Sequence, residues 1–421
     1  MTSTIDKKNI LILGAGFGGL TVLSKLLRSL KKHDDILITL IDEQNFFLFS
    51  PLLHEVSAGV LLPESIVAPI RKMFSSRIHN FVQARVEEIS LVDHKVITSS
   101  GVFNYDYLVL ALGGVTDMSE MVNTEDSSNI FLLKTVQDAI AIKNHVMEMF
   151  ERASVETDPN IVQQLMTFVI SGGGYTGVEL AASLSDVIHR YVATSYRQID
   201  PKNIKIIVLE SKDRIIRDLP EKYSLYIMKH LQSHKIDVML NSKVTQIGNN
   251  WVEISASQIV ASQTLVYVPG VVASPVISKI NAEKDVMGRA VVNNHMELPG
   301  FTGTYAIGDC AHFQDSVTGA VARPRAHNAV RQAKITAKNL TANLLYKKQT
   351  EYHCSDSAEI ISLGRSNALL RVNNFWFHGI LAVLIWVMSY SLLAIGKKNR
   401  AKIAVDWLLS RIFGPDTTII K

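Results

Sequence analysis

Residues 171–180 read SGGGYTGVEL, a glycine-rich turn that leads into a helical pattern, and residues 14–19 read GAGFGG, a turn of the same kind. In both cases a short apolar run precedes the turn. A second apolar run that ends in an acidic residue follows the helical pattern. This order is typical of a strand, a helix and a second, parallel strand. The chain therefore predicts two βαβ units and an α/β fold.

The first turn has glycines at GxGxxG spacing, namely Gly14, Gly16 and Gly19. Such glycines allow a tight turn, let backbone amides approach a pyrophosphate and let the helix pack closely on its strand. Asp42 ends the next apolar run, about 20 residues further on, where a ribose hydroxyl would need an acceptor. We therefore expect a Rossmann-like dinucleotide-binding domain.

The second turn repeats this arrangement, with Gly172, Gly174, Gly177 and, at the end of the following apolar run, Glu210. A carboxylate at that position accepts hydrogen bonds from both ribose hydroxyls and repels a 2′-phosphate, which favours NADH over NADPH. Two interpretations of Glu210 stay open. It could bind the ribose hydroxyls, or it could be a solvated charge at the end of a strand, which is common. Arg214 follows closely and could weaken the preference.

The segment YAIGDCAHF, residues 305–313, distinguishes the two sites. Asp309 follows Gly308 at the end of a predicted strand, where it could accept a hydrogen bond from a ribityl hydroxyl. A flavin carries that group and a nicotinamide cofactor does not. We expect a flavin domain formed by residues 1–160 and 285–345, a nicotinamide domain formed by 161–284, and a C-terminal region from 346 to 421. Residues 151–160 read as a linker.

Composition excludes several classes of protein. The 43 basic and 39 acidic residues give a net charge of only +4, and no basic tract interleaved with aromatics predicts nucleic-acid binding. Cys310 and Cys354 are the only cysteines and are far apart, so a disulfide framework is not expected. No spacing of His, Cys, Asp and Glu predicts a metal site.

The order of the motifs carries a resemblance to a known family. The segments ILGAGFGGL (12–20), LIDEQNFFLFSPLLHEVSAG (40–59), YDYLVLALGG (105–114), GGGYTGVELA (172–181) and YAIGDCAHF resemble the type II NADH dehydrogenases, which are NADH:quinone oxidoreductases. The resemblance spans nearly the whole chain. It implies a non-covalent FAD that is reduced by NADH and reoxidised by a membrane quinone, without proton pumping.

The resemblance also implies roles for individual residues. Glu179 matches a glutamate near the nicotinamide and the flavin. The residues expected to hold FAD are Gly14, Gly16, Gly18, Gly19, Asp42, Gly113 and Asp309, and those expected to hold NADH are Gly172, Gly174, Gly177, Glu210 and Gly270.

The chain departs from the family in one helix. Members commonly show AQxAxQ near the quinone, whereas residues 326–331 read AHNAVR, so that His327 and Arg331 replace two glutamines. One hypothesis is that His327 protonates the reduced quinone and Arg331 stabilises an anionic form. The alternative is that both side chains turn outward and Gln332 takes the polar role.

The C-terminal region suggests a membrane partner. Residues 375–395 contain no charge and, at ~20 apolar residues, are long enough to span a bilayer. The resemblance favours instead helices that lie in the membrane interface or pair in a homodimer. In the following segment we expect an apolar surface of Ile403, Val405, Trp407, Leu408, Ile412 and Phe413, with basic groups reaching anionic head groups. The expected location is the cytoplasmic face of the cell membrane.

Two other functions remain open at this point. A sulfide:quinone oxidoreductase shares the fold but requires paired redox cysteines near the flavin. A flavin-binding redox sensor would bind the same cofactors without appreciable turnover.

Overall fold

The computed structural model describes residues 7–74, 79–119, 121, 128–354, 358–373, 375–394 and 396–419. The chain divides into two compact units. Unit 1 comprises Met1–Phe47, Ala68–Val115 and Val271–Ser355, and unit 2 comprises Leu48–Val67, Thr116–Gly270 and Asp356–Lys421.

The helices and strands account for most of both units. The helices are α1 (Phe17–Ser29), α2 (Leu53–Ser57), α3 (Val136–Val155), α4 (Pro159–Leu165), α5 (Tyr175–Val187), α6 (Ala193–Ser195), α7 (Glu221–Ser233), α8 (Pro275–Lys279), α9 (Ala326–Leu344), α10 (Ile380–Leu393) and α11 (Lys397–Phe413). The strands are β1 (Lys8–Leu13), β2 (Ile36–Asp42), β3 (Phe46–Leu48), β4 (Val67–Pro69), β5 (His79–Gln83), β6 (Val86–Ser90), β7 (Lys95–Thr98), β8 (Gly101–Asn104), β9 (Tyr107–Leu110), β10 (Gly114–Thr116), β11 (Ile130–Phe131), β12 (Thr167–Ser171), β13 (Lys205–Leu209), β14 (Ile236–Met239), β15 (Val244–Ile247), β16 (Trp251–Ile254), β17 (Gln258–Ala261), β18 (Leu265–Tyr267), β19 (Val271–Ala273), β20 (Ala290–Val291), β21 (Thr304–Ala306), β22 (Ala311–His312), β23 (Ala358–Ser362), β24 (Ala368–Val372) and β25 (Phe375–His378).

Unit 1 contains a parallel sheet with strand order β21-β9-β1-β2-β5. Leu13 at the end of β1 lies opposite Ile41 on β2 and Leu110 on β9. The inner strands are almost continuous apolar runs, as expected for a parallel sheet whose two faces are both covered. Strand β1 has β2 on one side and β9 on the other. The strand order therefore reverses at β1, and the carboxyl ends of β1 and β9 frame a crevice of the kind that binds nucleotides.

Unit 2 repeats this design. Its parallel sheet has the order β11-β18-β12-β13-β14, and Ser171 at the end of β12 lies opposite Leu209 on β13 and Tyr267 on β18. The antiparallel sheet β15-β16-β17 packs on one face of it through a cluster that includes Val169, Leu209 and Ile254. A second antiparallel sheet, β23-β24-β25, leads to the C-terminal helices.

The two predicted βαβ units are confirmed, with differences only at element ends. The predicted linker at 151–160 is wrong. Helix α3 continues to Val155 because its apolar face stays buried as far as Ala153, and α4 begins at Pro159 with Asp158 as its N-cap.

The compact units also divide the chain differently from the predicted domain bounds. Residues 48–67 and 116–160 belong to unit 2, whereas the sequence assigns them to the flavin domain. The predicted domains were defined by the cofactor that each one binds, whereas the units are defined by compactness. The predicted domain bounds therefore stay a prediction.

The apolar stretch at 375–395 forms strand β25 and helix α10 in place of one long helix, with Gly379 at φ +78° between them. Helix α10 has 14 residues, whereas a membrane span needs ~20. Among the residues that the structure describes, no helix combines the length and the apolar character required to cross a membrane.

Candidate active site

The first glycine turn, in unit 1, explains why glycine is needed at two of its positions. Gly14 has φ +99°, and a Cβ there would collide with the backbone oxygen of Ala111 at the end of β9. A Cβ at Gly19 would collide with the oxygen of Gly14. The turn is therefore closed by contacts between backbone atoms.

The other glycines of this turn differ in their surroundings. A Cβ at Gly16 would have no atom within 4 Å, so this position faces open space. Gly18 makes room for Ile307, whose Cδ1 would lie 2.9 Å from a Cβ. Gly16 is the N-cap of α1, and the first turn of α1 has neither a side-chain cap nor an acidic residue. The backbone amides of this uncapped turn and the positive end of the helix dipole suit an anionic group.

Asp42 lies beside the same turn. Its Oδ2 accepts a hydrogen bond from Ala15 N–H at 2.5 Å and its Oδ1 accepts one from Gln44 N–H at 2.7 Å. Burial raises the pKa of Asp42 and these two hydrogen bonds oppose the rise. A carboxylate oxygen has two lone pairs, so each oxygen can still accept from a ribose hydroxyl.

The Gly-Asp turn also lies in unit 1, close to Gly113 and Gly114. Gly113 has φ +67°, nothing within 4 Å of a Cβ, and an oxygen that accepts from Cys310 Sγ at 3.3 Å. A Cβ at Gly114 would lie 3.3 Å from Cβ of Asp309. Unit 1 therefore brings Asp309 together with the loop that follows β9.

Helix α9 carries the residues that depart from the family pattern. His327 is exposed and Arg331 is half-buried, whereas Gln332 is buried and its Oε1 accepts a hydrogen bond from Gly308 N–H at 2.7 Å. Gln332 thus directs a polar group at the Gly-Asp turn. The roles of His327, Arg331 and Gln332 toward a quinone stay a prediction, with both alternatives open.

The second glycine turn, in unit 2, has the same geometry as the first. Gly172 has φ +124° and a Cβ there would collide with the oxygen of Val268 at the end of β18, while a Cβ at Gly177 would collide with the oxygen of Gly172. Gly174 and Gly270 have no atom within 4 Å of a Cβ. Helix α5 has Gly174 as its N-cap and no side-chain cap.

Glu210 occupies in unit 2 the place that Asp42 occupies in unit 1. Its Oε2 accepts from Gly173 N–H at 2.9 Å and its Oε1 accepts from Lys212 N–H at 2.9 Å. A Cβ at Gly173 would lie 2.9 Å from Glu210 Oε2, which explains the additional glycine in this turn. Arg214 donates to the backbone oxygen of Arg217 at 2.9 Å.

Glu179 lies on α5, two residues after Gly177, and its side chain is only 13% exposed. One carboxylate oxygen accepts a hydrogen bond from Ser362 N–H at 3.1 Å. Burial raises the pKa of Glu179 to about 8, with a smaller contribution from the charge of Glu55, and the hydrogen bond from Ser362 opposes the rise. At neutral pH Glu179 is therefore mostly a neutral acid that can donate a proton.

Two further titratable residues lie beside Glu179 and have no role in the sequence analysis. His54 and Glu55 belong to α2, and His54 Nδ1 lies 3.9 Å from Glu179 Oε2. Burial lowers the pKa of His54 to about 3, and a hydrogen bond from the ring to the backbone oxygen of Pro51 opposes the fall, so the imidazole is neutral and its contact with Glu179 is not an ion pair. Burial raises the pKa of Glu55 to about 7, and a hydrogen bond from Trp407 opposes the rise.

The signal for His54 and Glu55 was present in the quoted segment SPLLHEVSAG, which carried part of the family resemblance. An ionisable pair within an apolar run is the feature that could have marked them. Their partners are distant in sequence, so only the folded chain reveals the cluster.

Comparison with known proteins extends these observations. A model of the pyridine nucleotide-disulphide oxidoreductase family matches residues 8–333. A probable NADH dehydrogenase of Dictyostelium discoideum is 26% identical over 420 residues, which cover 98% of this chain and 91% of the relative. The type II NADH:quinone oxidoreductase NdhA of Mycobacterium tuberculosis is 27% identical over 420 residues, covering 96% and 87%. NDH2 from Plasmodium falciparum, solved in complex with NADH, superposes with a TM-score of 0.88 at 19% identity, covering 98% and 100%, and thus shares the fold.

Proposed function

The chain belongs to the pyridine nucleotide-disulphide oxidoreductase family, and we propose that it is a non-proton-pumping NADH:quinone oxidoreductase that uses non-covalent FAD. The observation that carries the proposal is the duplication of the glycine turn and its strand-end acid, with a Gly-Asp turn in unit 1 beside the first. Two different dinucleotides suit such a chain, one as a resident acceptor and the other as a transient donor.

The residues of unit 1 fit FAD. Gly16 leaves open space in front of uncapped amides, which suits a pyrophosphate. Asp42 has acceptor capacity for a ribose, and Asp309 follows Gly308 beside the open loop at Gly113, where a ribityl chain could pass. A side chain at Gly16 or Gly113 would fill the space that this cofactor needs.

The residues of unit 2 fit NADH. Gly174 and Gly270 leave open space at the start of α5, and Glu210 presents a carboxylate at the end of β13. The negative charge of Glu210 favours two ribose hydroxyls over a 2′-phosphate. Arg214 already donates to a backbone oxygen, which leaves less of its donor capacity for a phosphate.

The chemistry assigns the protein a limited set of tasks. FAD, when bound, accepts a hydride from NADH and passes two electrons to a quinone. The overall reaction, NADH + H⁺ + quinone → NAD⁺ + quinol, requires one proton from the protein or solvent. Glu179 is the candidate donor because it is buried and holds its proton at neutral pH.

The cysteines argue against the sulfide:quinone alternative. Both are free, Cys310 is buried, and burial raises the pKa of its thiol well above the ordinary range. The neighbouring charge of Asp309 raises that pKa further. Sulfide oxidation requires a cysteine pair whose disulfide sulfide can attack, and these two free cysteines do not form one.

The C-terminal helices supply a candidate lipid-binding face. On α10, Ile380, Leu384, Met388 and Leu392 recur every fourth residue and are 68%, 58%, 58% and 59% exposed. On α11, Val405, Leu408, Leu409, Ile412 and Phe413 are exposed, whereas two residues predicted for this surface point inward: Ile403 is buried and Trp407 bonds to Glu55.

We place this face on the surface of a lipid bilayer at its cytoplasmic side, where a quinone is available. Exposed Lys397, Lys398 and Arg400 start α11 and can approach anionic head groups, each contributing roughly 1 kcal/mol. A second copy of the chain is the alternative occupant. Flotation with vesicles and sedimentation without them separate the two.

A steady-state assay tests the proposed function. The purified protein with FAD should oxidise NADH rapidly when a soluble quinone is added, NADPH more slowly, and should not oxidise sulfide. Sulfide-dependent quinone reduction would favour a sulfide:quinone oxidoreductase. Flavin that NADH bleaches but no quinone reoxidises would favour a redox sensor.

A further inference from the structure

A buried cluster in unit 2 extends beyond Glu179. His54 Nε2 lies 3.6 Å from Glu55 Oε1, and His54 Nδ1 lies 3.9 Å from Glu179 Oε2. The side chain of His54 is 3% exposed and that of Glu55 is 9% exposed. The imidazole thus lies between two carboxyl groups that are shielded from solvent.

The imidazole is available for proton exchange. Among the described residues, Nε2 of His54 is buried and has no hydrogen-bond partner. A neutral imidazole accepts at one nitrogen and donates at the other, so it can take a proton from one neighbour while giving one to the other. A buried polar atom without a partner is costly, and a protonated Glu55 is the donor that could satisfy it after a small approach.

The cluster also contacts the C-terminal helices. Trp407 Nε1 on α11 donates to Glu55 Oε2 at 3.3 Å. The Trp386 ring on α10 contacts both neighbours in tilted geometry, with centroid distances of 5.1 Å to Trp407 and 6.2 Å to His54. Helix α11 is fastened to the same region because Asp406 accepts from Ser65 Oγ at 2.5 Å and from Leu62 N–H at 3.1 Å.

We propose that Glu55 and His54 form with Glu179 one proton relay, with Trp407 linking it to helix α11. The inference rests on the proposed function, because quinone reduction is the step that consumes a proton. Glu179 gives its proton to the quinone and becomes a carboxylate. His54 then donates its Nδ1 proton to Glu179 and accepts the Glu55 proton at Nε2. Glu55, whose side chain keeps 9% of its surface exposed, takes a new proton from solvent, and a flip of the imidazole ring restores an N–H toward Glu179 for the next cycle.

Burial brings the pKa values of both carboxyl groups close to neutral. That of Glu55 is raised to about 7 and that of Glu179 to about 8, so each group can hold and release a proton near neutral pH. Other groups face the cluster. Asp186 raises and Arg365 lowers the pKa of Glu55, and Tyr390 on α10 adjoins Glu179. On α3, which packs on α2, Lys143 pairs with Asp416 at 3.4 Å.

Infrared titration of the oxidised holoenzyme, without NADH or quinone, tests the coupling directly. The difference between wild type and Glu179→Gln identifies the carboxyl band of Glu179. Because the charge of Glu55 raises the pKa of Glu179, Glu55→Gln should lower the pH at which Glu179 deprotonates. Glu64→Gln, at an exposed residue nine positions after Glu55, is the control and should leave the band unchanged.

Kinetics supply the second readout. His54→Gln should slow quinone reduction by about 10²-fold while flavin reduction by NADH keeps its rate, because only the quinone step needs the relay. If wild type reduces quinone and both Glu55→Gln and His54→Gln keep the wild-type rates and Glu179 titration, the relay is refuted. If the infrared coupling is present but wild type reduces no quinone, the proposed function fails and the coupling stands.

Discussion

Replacement of Glu179 by glutamine separates its effect on stability from its effect on catalysis. The pKa of Glu179 is raised from an ordinary value of 4.5 to about 8, chiefly by burial. A group whose pKa is raised by folding contributes stability below its unfolded pKa and loses that contribution as pH rises through the folded pKa. Glu179 therefore destabilises the folded protein progressively between about pH 4.5 and pH 8.

The size of this effect follows from linkage. Each pH unit in that window costs about 1.4 kcal/mol, so the full loss is on the order of 3–5 kcal/mol at most. Glutamine copies the shape of the protonated acid and does not titrate. We expect Glu179→Gln to melt at a temperature similar to wild type at pH 5 and several degrees higher at pH 9.

Glu179→Gln should reduce the rate of quinone reduction, although it raises the stability of the protein at high pH. In wild type, quinone reduction should fall about tenfold per unit as pH rises above 8, because the protonated fraction falls by that factor. Glu179→Gln should lower this rate by about 10²–10⁴-fold and remove its dependence on pH near 8.

Thermal shift and stopped-flow measurements at pH 5, 7 and 9 provide both readouts. Glu148→Gln, an exposed glutamate on α3, serves as the matched control. A Glu179→Gln protein with the wild-type pH profile of both melting temperature and quinone reduction would refute the assignment of a raised pKa and a proton-donor role.

Three further substitutions test the NADH site and the exposed apolar face of the C-terminal helices. Gly174→Ala places a methyl group in open space, so the melting temperature and FAD content should stay at wild-type values while KM for NADH rises about tenfold or more; an unchanged KM would remove the turn from the NADH site. Glu210→Gln should reduce the preference for NADH over NADPH in kcat/KM by at least about tenfold, and an unaltered ratio would make Glu210 a solvated charge. Leu384→Asp should weaken flotation with anionic vesicles by about tenfold or more, whereas Val155→Asp, at an apolar residue of α3 that is also exposed (82%, against 58% for Leu384), should not; equal behaviour of the two would reject the lipid-binding face.

The parts of the fold that local chemistry determines could be predicted from the sequence. Glycines at 14 and 172 are required because the backbone of a neighbouring loop occupies the place of a side chain, and the GxGxxG spacing records that requirement. The apolar strands that lead to Asp42 and Glu210 were equally predictable, because the strands of a parallel sheet are buried on both faces and must be apolar. The structure confirms both units.

Other features depend on contacts that local patterns do not record. The sequence placed Trp407 on an apolar surface, but its indole turns inward because Glu55, which is remote in sequence, accepts its N–H. The linker prediction failed because polar residues at 151–155 lie on the exposed side of a helix whose other side is buried. The roles of His54 and Glu55 were not predicted for the same reason as the orientation of Trp407: their partner, Glu179, is remote in sequence.

The central claim is that one chain takes a hydride from NADH and delivers two electrons to a quinone. An anaerobic double-mixing experiment follows the flavin absorbance after one equivalent of NADH and then one equivalent of a soluble quinone. Complete bleaching is expected in the first phase and complete recovery in the second, with NAD⁺ and quinol formed in equal amounts. Absence of bleaching, or bleaching that quinone does not reverse, would contradict it.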